Sequence, residues 1–162
     1  MKSHSHEDPV IKRSLSIEQW HQLGLQGDRI PVTITLAGDS MRPLIRRGRD
    51  RVTILPVSHK LRIGDIVLFR RDQEMYVVHR VWKIRDGMVQ TLGDNCVTPD
   101  SWIPVSDVWG LVVKMERCGR TFRLDGKTAR VFGRGWMAVY PLRRTYRQLR
   151  NNCGKVIRSL WG

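Results

Sequence analysis

Cysteine is scarce, acidic residues are heavily outnumbered, and long apolar runs are missing. The chain has 162 residues and three cysteines, Cys96, Cys118 and Cys153, which are far apart and show no CxxC spacing. That excludes a disulfide framework and a zinc ribbon, and it suits a reducing compartment. No stretch approaches the roughly 18–20 uninterrupted apolar residues that a membrane-spanning helix needs. The N-terminal MKSHSHEDPVIKRS lacks the apolar centre of a secretory signal. These absences point to the cytoplasm. Acid is short throughout: 15 Asp+Glu face 29 Lys+Arg, for a net charge of +14, and none occurs beyond Asp125. A charge of that size attracts nucleic acid, anionic lipid or acidic peptide, and composition alone does not choose among them. What is present suffices for a core, since 41% of residues are hydrophobic and six are Trp. The length fits one ordinary domain with a small appendage.

Along the chain, residues 1–13 read as a flexible tail. Ser16-Ile17-Glu18-Gln19 has the form of a capping box that opens a short helix through Trp20 and Leu23. Ile30, Val32, Ile34 and Leu36 then alternate with Thr33 and Thr35, which predicts a half-buried strand. Further strands are predicted over Arg51–Leu55, Asp65–Arg70, Tyr76–Ile84, Met88–Leu92, Val108–Glu116 and Thr121–Leu124. Asp86-Gly87 and Cys118-Gly119 supply the positive φ of tight hairpin turns. The pattern predicts a mostly β protein, a coiled antiparallel domain over 14–125. Residues 126–162 form a basic helical extension, in which Pro141 starts or kinks a helix. Beyond it Leu142, Tyr146, Leu149, Cys153, Val156 and Leu160 make one apolar stripe. Asn151, Asn152 and Gly154 weaken that helix midway.

Three segments hold the residues on which chemistry can run. Ser40 lies in the turn-rich Ala37-Gly38-Asp39-Ser40-Met41-Arg42-Pro43, directly after a strand. A serine hydroxyl becomes a nucleophile only when a base takes its proton. His79, within Tyr76–Trp82, is a histidine on a strand and can accept a proton near neutrality. The turn Gly93-Asp94-Asn95-Cys96-Val97-Thr98-Pro99-Asp100 carries two carboxylates, and one beside the far ring nitrogen of a base histidine would hold its tautomer. Either Asp94 or Asp100 suits that task on residue type alone. His4 and His6 sit in the tail, and no metal or cofactor is expected.

The order Gly38-Asp39-Ser40-Met41-x-Pro43, Gly64-Asp65-Ile66-Val67, Val78-His79-Arg80-Val81, Gly93-Asp94-Asn95 and Val108-Trp109-Gly110 resembles the type I signal peptidase family. The resemblance covers about residues 30–116. It implies the coiled antiparallel fold of that family and a serine endopeptidase that cleaves a signal- or leader-like peptide. Ser40 would be the nucleophile and His79 the general base, as in the archaeal and endoplasmic-reticulum branch; bacterial members use lysine there. Asp100, six residues beyond Asp94, would complete the triad, with Asp94, Gly38, Met41 and Pro43 in support. The chain departs from the family in lacking an N-terminal membrane anchor. It also has Gly38 where bacterial members often place an oxyanion-binding hydroxyl, and it adds the basic extension.

The resemblance gives the positive charge two addresses. Arg42, Arg46 and Arg47, with Arg49 and Arg51, follow the nucleophile and would steer an acidic precursor peptide. Residues 126–162 would either pack on the β-domain or lie on an anionic membrane surface, holding the enzyme peripherally at the inner face. Two rivals stand beside the peptidase: an inactive peptide-binding module of the same fold, and a basic nucleic-acid binder. The second lacks helix-turn-helix, zinc-finger and RNP-like signals, so no nucleic acid is expected.

Overall fold

A computed structural model describes residues 16–71 and 75–146. The expected tail over 1–13 lies outside the described residues, as do the stripe positions Leu149, Cys153, Val156 and Leu160 and the weak points Asn151, Asn152 and Gly154. Helix α1 (Ile17–Leu25) is opened by the capping box, with Gln19 N donating to Ser16 Oγ at 3.2 Å and Ser16 N to Gln19 Oε1 at 3.0 Å. Its Trp20 is buried, and its indole N–H donates to Ile30 O at 2.7 Å.

Among the described residues eight strands follow: β1 (Val32–Thr35), β2 (Arg51–Pro56), β3 (Ile66–Arg71), β4 (Met75–Arg85), β5 (Met88–Leu92), β6 (Trp102–Pro104), β7 (Val108–Arg117) and β8 (Arg120–Arg123). They form one antiparallel sheet in the order β1-β2-β7-β3-β4-β5-β6, with β8 on β7. The protein is thus mostly β, as the alternation predicts. The two hairpin turns also fall where expected, with Asp86 at φ 50° and Cys118 at φ 49°. Strand β6 was not predicted from the sequence. It has three residues, too few for a period-2 signal to emerge.

Register shifts at Thr53/Ile54, Leu68/Phe69 and Val81/Lys83 mark bulges that sharpen the twist and curl the sheet. Both faces of β3 are covered. Ile66 and Leu68 join a core with Trp20, Met41, Ile45 and Val78, while Val67 and Phe69 join another with Val77, Val81 and Leu111. A strand buried on both faces reads as an unbroken apolar run, which is why Ile66–Phe69 shows no alternation.

The described part of the basic extension, residues 126–146, is largely helical, and its first helix precedes Pro141. Helix α2 (Lys127–Ala138) is followed by helical residues 140–146, here α3. Gly133 and Gly135 hide α2 from propensity reasoning, because each weakens a helix in isolation. Tertiary packing of Met137 and Tyr140 on Leu92, Trp82 and Cys96 outweighs that cost.

Candidate active site

Strand β4 sets two side chains back to back. In a pleated strand neighbours point to opposite faces, so His79 shares its face with Val77 and Val81 and Arg80 shares the other with Val78. The loop from Gly93 to Asp100 wraps the edge of the sheet and offers a carboxylate to each face.

Asp100 serves His79. Backbone bonds fix it, with Asp100 N donating to Thr91 O at 2.9 Å and Gln90 Nε2 to Asp100 O at 3.0 Å. Its Oδ2 accepts from Thr91 Oγ1 at 2.5 Å and meets His79 Nδ1 at 2.6 Å, while Oδ1 accepts from Arg71. An ionised carboxylate only accepts, so His79 Nδ1 carries the proton and Nε2 of the neutral ring is the free base. Burial pushes the His79 imidazole down, but the bond to Asp100 and the Cys96 sulfur beside the ring raise it above its ordinary value overall. Burial pushes Asp100 up, and His79, Thr91 and Arg71 outweigh it, leaving the carboxyl below its usual range. Each partner stabilises the charged form of the other.

Ser40 arrives from the opposite side. Met41 and Ile45, both buried, pin the segment after β1 into the core, and Ile45 N donates to Met41 O at 2.9 Å. The Asn95 N–H donates to Ser40 O at 2.7 Å, tying the serine segment to the Gly93–Asp100 loop. Ser40, His79, Gly38 and Cys96 all line one cavity of about 590 Å³. Among the described residues no hydrogen bond joins Ser40 Oγ to His79, although both line the cavity. Gly93 makes this closeness possible. A Cβ there would lie 2.6 Å from Cys96 Sγ, 2.9 Å from His79 Nε2 and 2.9 Å from Ser40 O. At Gly38 a Cβ meets nothing within 4 Å, so that position has room for a side chain.

The cavity walls are strand edges. Residues 75–79 of β4 pair with β3 on one side, while β5 takes up pairing only from Arg80. Strand β1 pairs with β2 and presents its other edge, with Ile34, Thr35, Leu36 and Ala37 lining the same cavity opposite Met75–His79. The curled sheet thus holds two incompletely paired edges either side of a groove.

Asp94 faces the other way. Its carboxylate accepts from Arg80 Nε at 2.8 Å and Nη2 at 2.7 Å, both side chains being almost wholly buried, and Arg80 Nη1 donates to Gly64 O at 2.9 Å. Helix α2 closes over the pair at Gly133, where a Cβ would lie 2.6 Å from Arg80 Nη1. The extension then grips the same loop. Trp136 Nε1 donates to Asp94 O at 3.3 Å, Arg143 Nη1 to the same oxygen at 2.5 Å, and Tyr140 OH to Val97 O at 2.5 Å. Arg143 also stacks on Trp136 at 4.2 Å.

The structure therefore brings together Ser40, His79 and Asp100 with Gly38, and it separates Asp94 from them by a strand. Met41 supports from the core. Pro43 is exposed and lines a different cavity of about 500 Å³ with Arg42, Asp94, Asn95, Trp136 and Arg143. Arg42, Arg46 and Arg47 are exposed and lie outside the groove lining; Arg42 approaches Asp39 at 3.9 Å. Sequence reasoning missed Arg71, Thr91 and Cys96. Arg71 sits in the last register pair of β3 with β4, four pairs beyond the one holding His79, a relation that appears only once the hairpin is paired. Among the described residues no three His, Cys, Asp or Glu side chains cluster as metal ligands. His4 and His6 lie outside the described residues. Nor, among the described residues, is any helix long and apolar enough to cross a membrane. No protein-family model matches the chain.

Proposed function

We propose that this chain is a serine endopeptidase of the signal peptidase type, cleaving a signal- or leader-like peptide bound in extended form. The observation that carries the reading is the buried His79–Asp100 pair opening on the same groove as Ser40. An extended substrate adds between the free edges of β1 and β4, using main-chain hydrogen bonds for affinity and alternate side chains for selectivity. Small residues at the first and third positions before the scissile bond suit the pockets that the family resemblance implies. Ser40 Oγ attacks the carbonyl as His79 Nε2 takes its proton, and Asp100 holds the imidazolium that results. The tetrahedral oxyanion is met by backbone N–H groups, including that of Ser40. His79 then protonates the departing amine, and a water deprotonated by His79 releases the acyl group from Ser40. Nucleophile and base often close to hydrogen-bond distance only with substrate in place.

A serine-directed fluorophosphonate probe tests this. Labelling of the wild type, lost in Ser40→Ala and His79→Ala variants that unfold like the parent, is expected. No labelling of the wild type would sink the peptidase and favour a peptide-binding module on the same groove.

The reading includes where the enzyme works. Val131, Phe132, Val139, Leu142 and Tyr146 are exposed on α2 and α3, beside Lys127, Arg134 and Arg144, in a segment without a single acid. Apolar side chains interleaved with basic ones suit an anionic bilayer interface. Trp136, Met137 and Tyr140 meanwhile pack on the catalytic loop, so one face of the extension holds the site and the other is offered to lipid. Flotation with phosphatidylglycerol vesicles is expected for the full chain and lost with Phe132→Ser/Leu142→Ser. Equal flotation of both would dispose of the lipid assignment.

A further inference from the structure

Cys96 takes no part in the mechanism above, yet it occupies the mouth of the base. The ring of His79 is bonded to Asp100 at Nδ1, and its side chain is only 5% exposed. Its other nitrogen, Nε2, converges with Cys96 Sγ on the point above Gly93. Both side chains line the groove of about 590 Å³, which is open to small solutes. Cys96 is a free thiol and partly exposed, and its backbone is fixed by Cys96 N donating to Gly93 O at 2.9 Å. So two nucleophilic groups, the Ser40 hydroxyl and the Cys96 thiol, share one groove with one base. Sulfur is the softer nucleophile and needs no oxyanion hole to attack another sulfur.

We propose that Cys96 is a thiol-modification site: His79 deprotonates it for exchange with small disulfides, and the adduct fills the groove and blocks cleavage. The inference rests on the peptidase reading for its consequence, but not for its chemistry. The thiol proton passes to His79 Nε2, and the Cys96 thiolate attacks one sulfur of a disulfide such as oxidised glutathione. A new S–S bond forms, the old one breaks, and the leaving thiolate carries away its electron pair and recovers the proton from His79. The adduct stands between Ser40 and His79, and a reductant reverses it. Cys118, exposed in the turn between β7 and β8, has no such partner in the groove and acts as the internal reference.

The test uses the full chain carrying Cys118→Ser/Cys153→Ser, which leaves Cys96 as its only thiol. With oxidised glutathione, mass spectrometry is expected to show one glutathionyl group per chain. Fluorophosphonate labelling and peptide cleavage should fall in proportion to the fraction modified, and dithiothreitol should restore both. Adding His79→Ala is expected to slow adduct formation at least tenfold. In the parent chain the same substitution should leave the alkylation rate of Cys118 by iodoacetamide unchanged. Absence of an adduct, or a rate indifferent to His79→Ala, overturns the proposal. So does an adduct that leaves fluorophosphonate labelling intact. A His79-dependent adduct on a protein that neither labels nor cleaves retains the activated thiol and removes the peptidase reading instead.

Discussion

Two aspartates on one loop, six residues apart, have been given opposite work. Asp100 meets His79 where the groove opens, and it shares its oxygens among Thr91, Arg71 and the imidazole. Asp94 is paired with Arg80 beneath α2 through two hydrogen bonds, and both side chains are almost wholly buried. The difference lies in the partner. Histidine changes charge near neutrality and so can move a proton, while a guanidinium stays charged and can only hold. A buried pair of fixed charges fastens the loop, and a pair with one titrating member can exchange a proton.

Of the two aspartates, Asp100 is the one whose replacement, Asp100→Asn, has the larger expected effect on turnover. By analogy with serine-protease triads, kcat should fall on the order of 10⁴-fold. The pH profile carries a second signature. His79 must be neutral to act as base, and its raised proton affinity sets the acidic limb above its ordinary value of 6.5. Losing Asp100 should move that limb to lower pH. The same linkage has a stability side: a raised histidine contributes stability that is fully present below 6.5 and is lost as pH rises through the folded value. The destabilisation by Asp100→Asn should therefore be greater at pH 5 than at pH 9. An unmoved limb in residual activity would show that Asp100 does not orient the base.

Asp94→Ala should do the reverse. Stranding a buried Arg80 is expected to cost about 3–5 kcal/mol of unfolding free energy, measured by denaturant titration. Turnover per folded molecule should fall far less than with Asp100→Asn. If instead both substitutions cost activity alike, the two aspartates do not divide the work in this way.

Two glycine substitutions separate the regions more gently. Gly93→Ala pushes a methyl against Cys96 Sγ, His79 Nε2 and Ser40 O, and a misplacement of the base by about 1 Å is worth on the order of 10²-fold in rate. Gly133→Ala pushes the same methyl against Arg80, and overpacking of that kind costs about 1–3 kcal/mol in stability. The smallest effect belongs to the surface arginines. Replacing Arg42, Arg46 and Arg47 with Ser should raise KM for an acidic peptide a few-fold at low salt and leave a neutral peptide unaffected, the difference fading as salt screens the charge.

The sequence spells out every described strand except β6, together with the capping box of α1 and the two tight turns, because period, cap chemistry and positive-φ residues are local signals. It also marks Ser40, His79 and Asp100, but only through the order of several motifs; on residue type Asp94 and Asp100 are equivalent. What separates them is the pleat of β4 and the fold of the loop, and neither is local. Arg71, Thr91 and Cys96 escaped for the same reason, being ordinary residues made relevant by strand pairing. For the extension the sequence leaves packing on the β-domain and a place on a membrane surface side by side, because a stripe of apolar residues among basic ones suits either. Yet Trp136, Tyr140 and Arg143 show it built into the loop that carries both aspartates.

The pleat of β4 has one more consequence. His79 and Arg80 are adjacent, and nothing in the covalent chain says which of them faces the groove. That choice is made by six residue pairs with β3 along one edge, five pairs with β5 along the other, and the bulge at Val81/Lys83. A slip of one residue would exchange the two side chains, turning a permanent cation toward the groove and burying the imidazole under α2. Such a protein would keep its hairpin and its composition while losing its acid–base group. Registration of this single strand therefore decides which of the two side chains the groove receives.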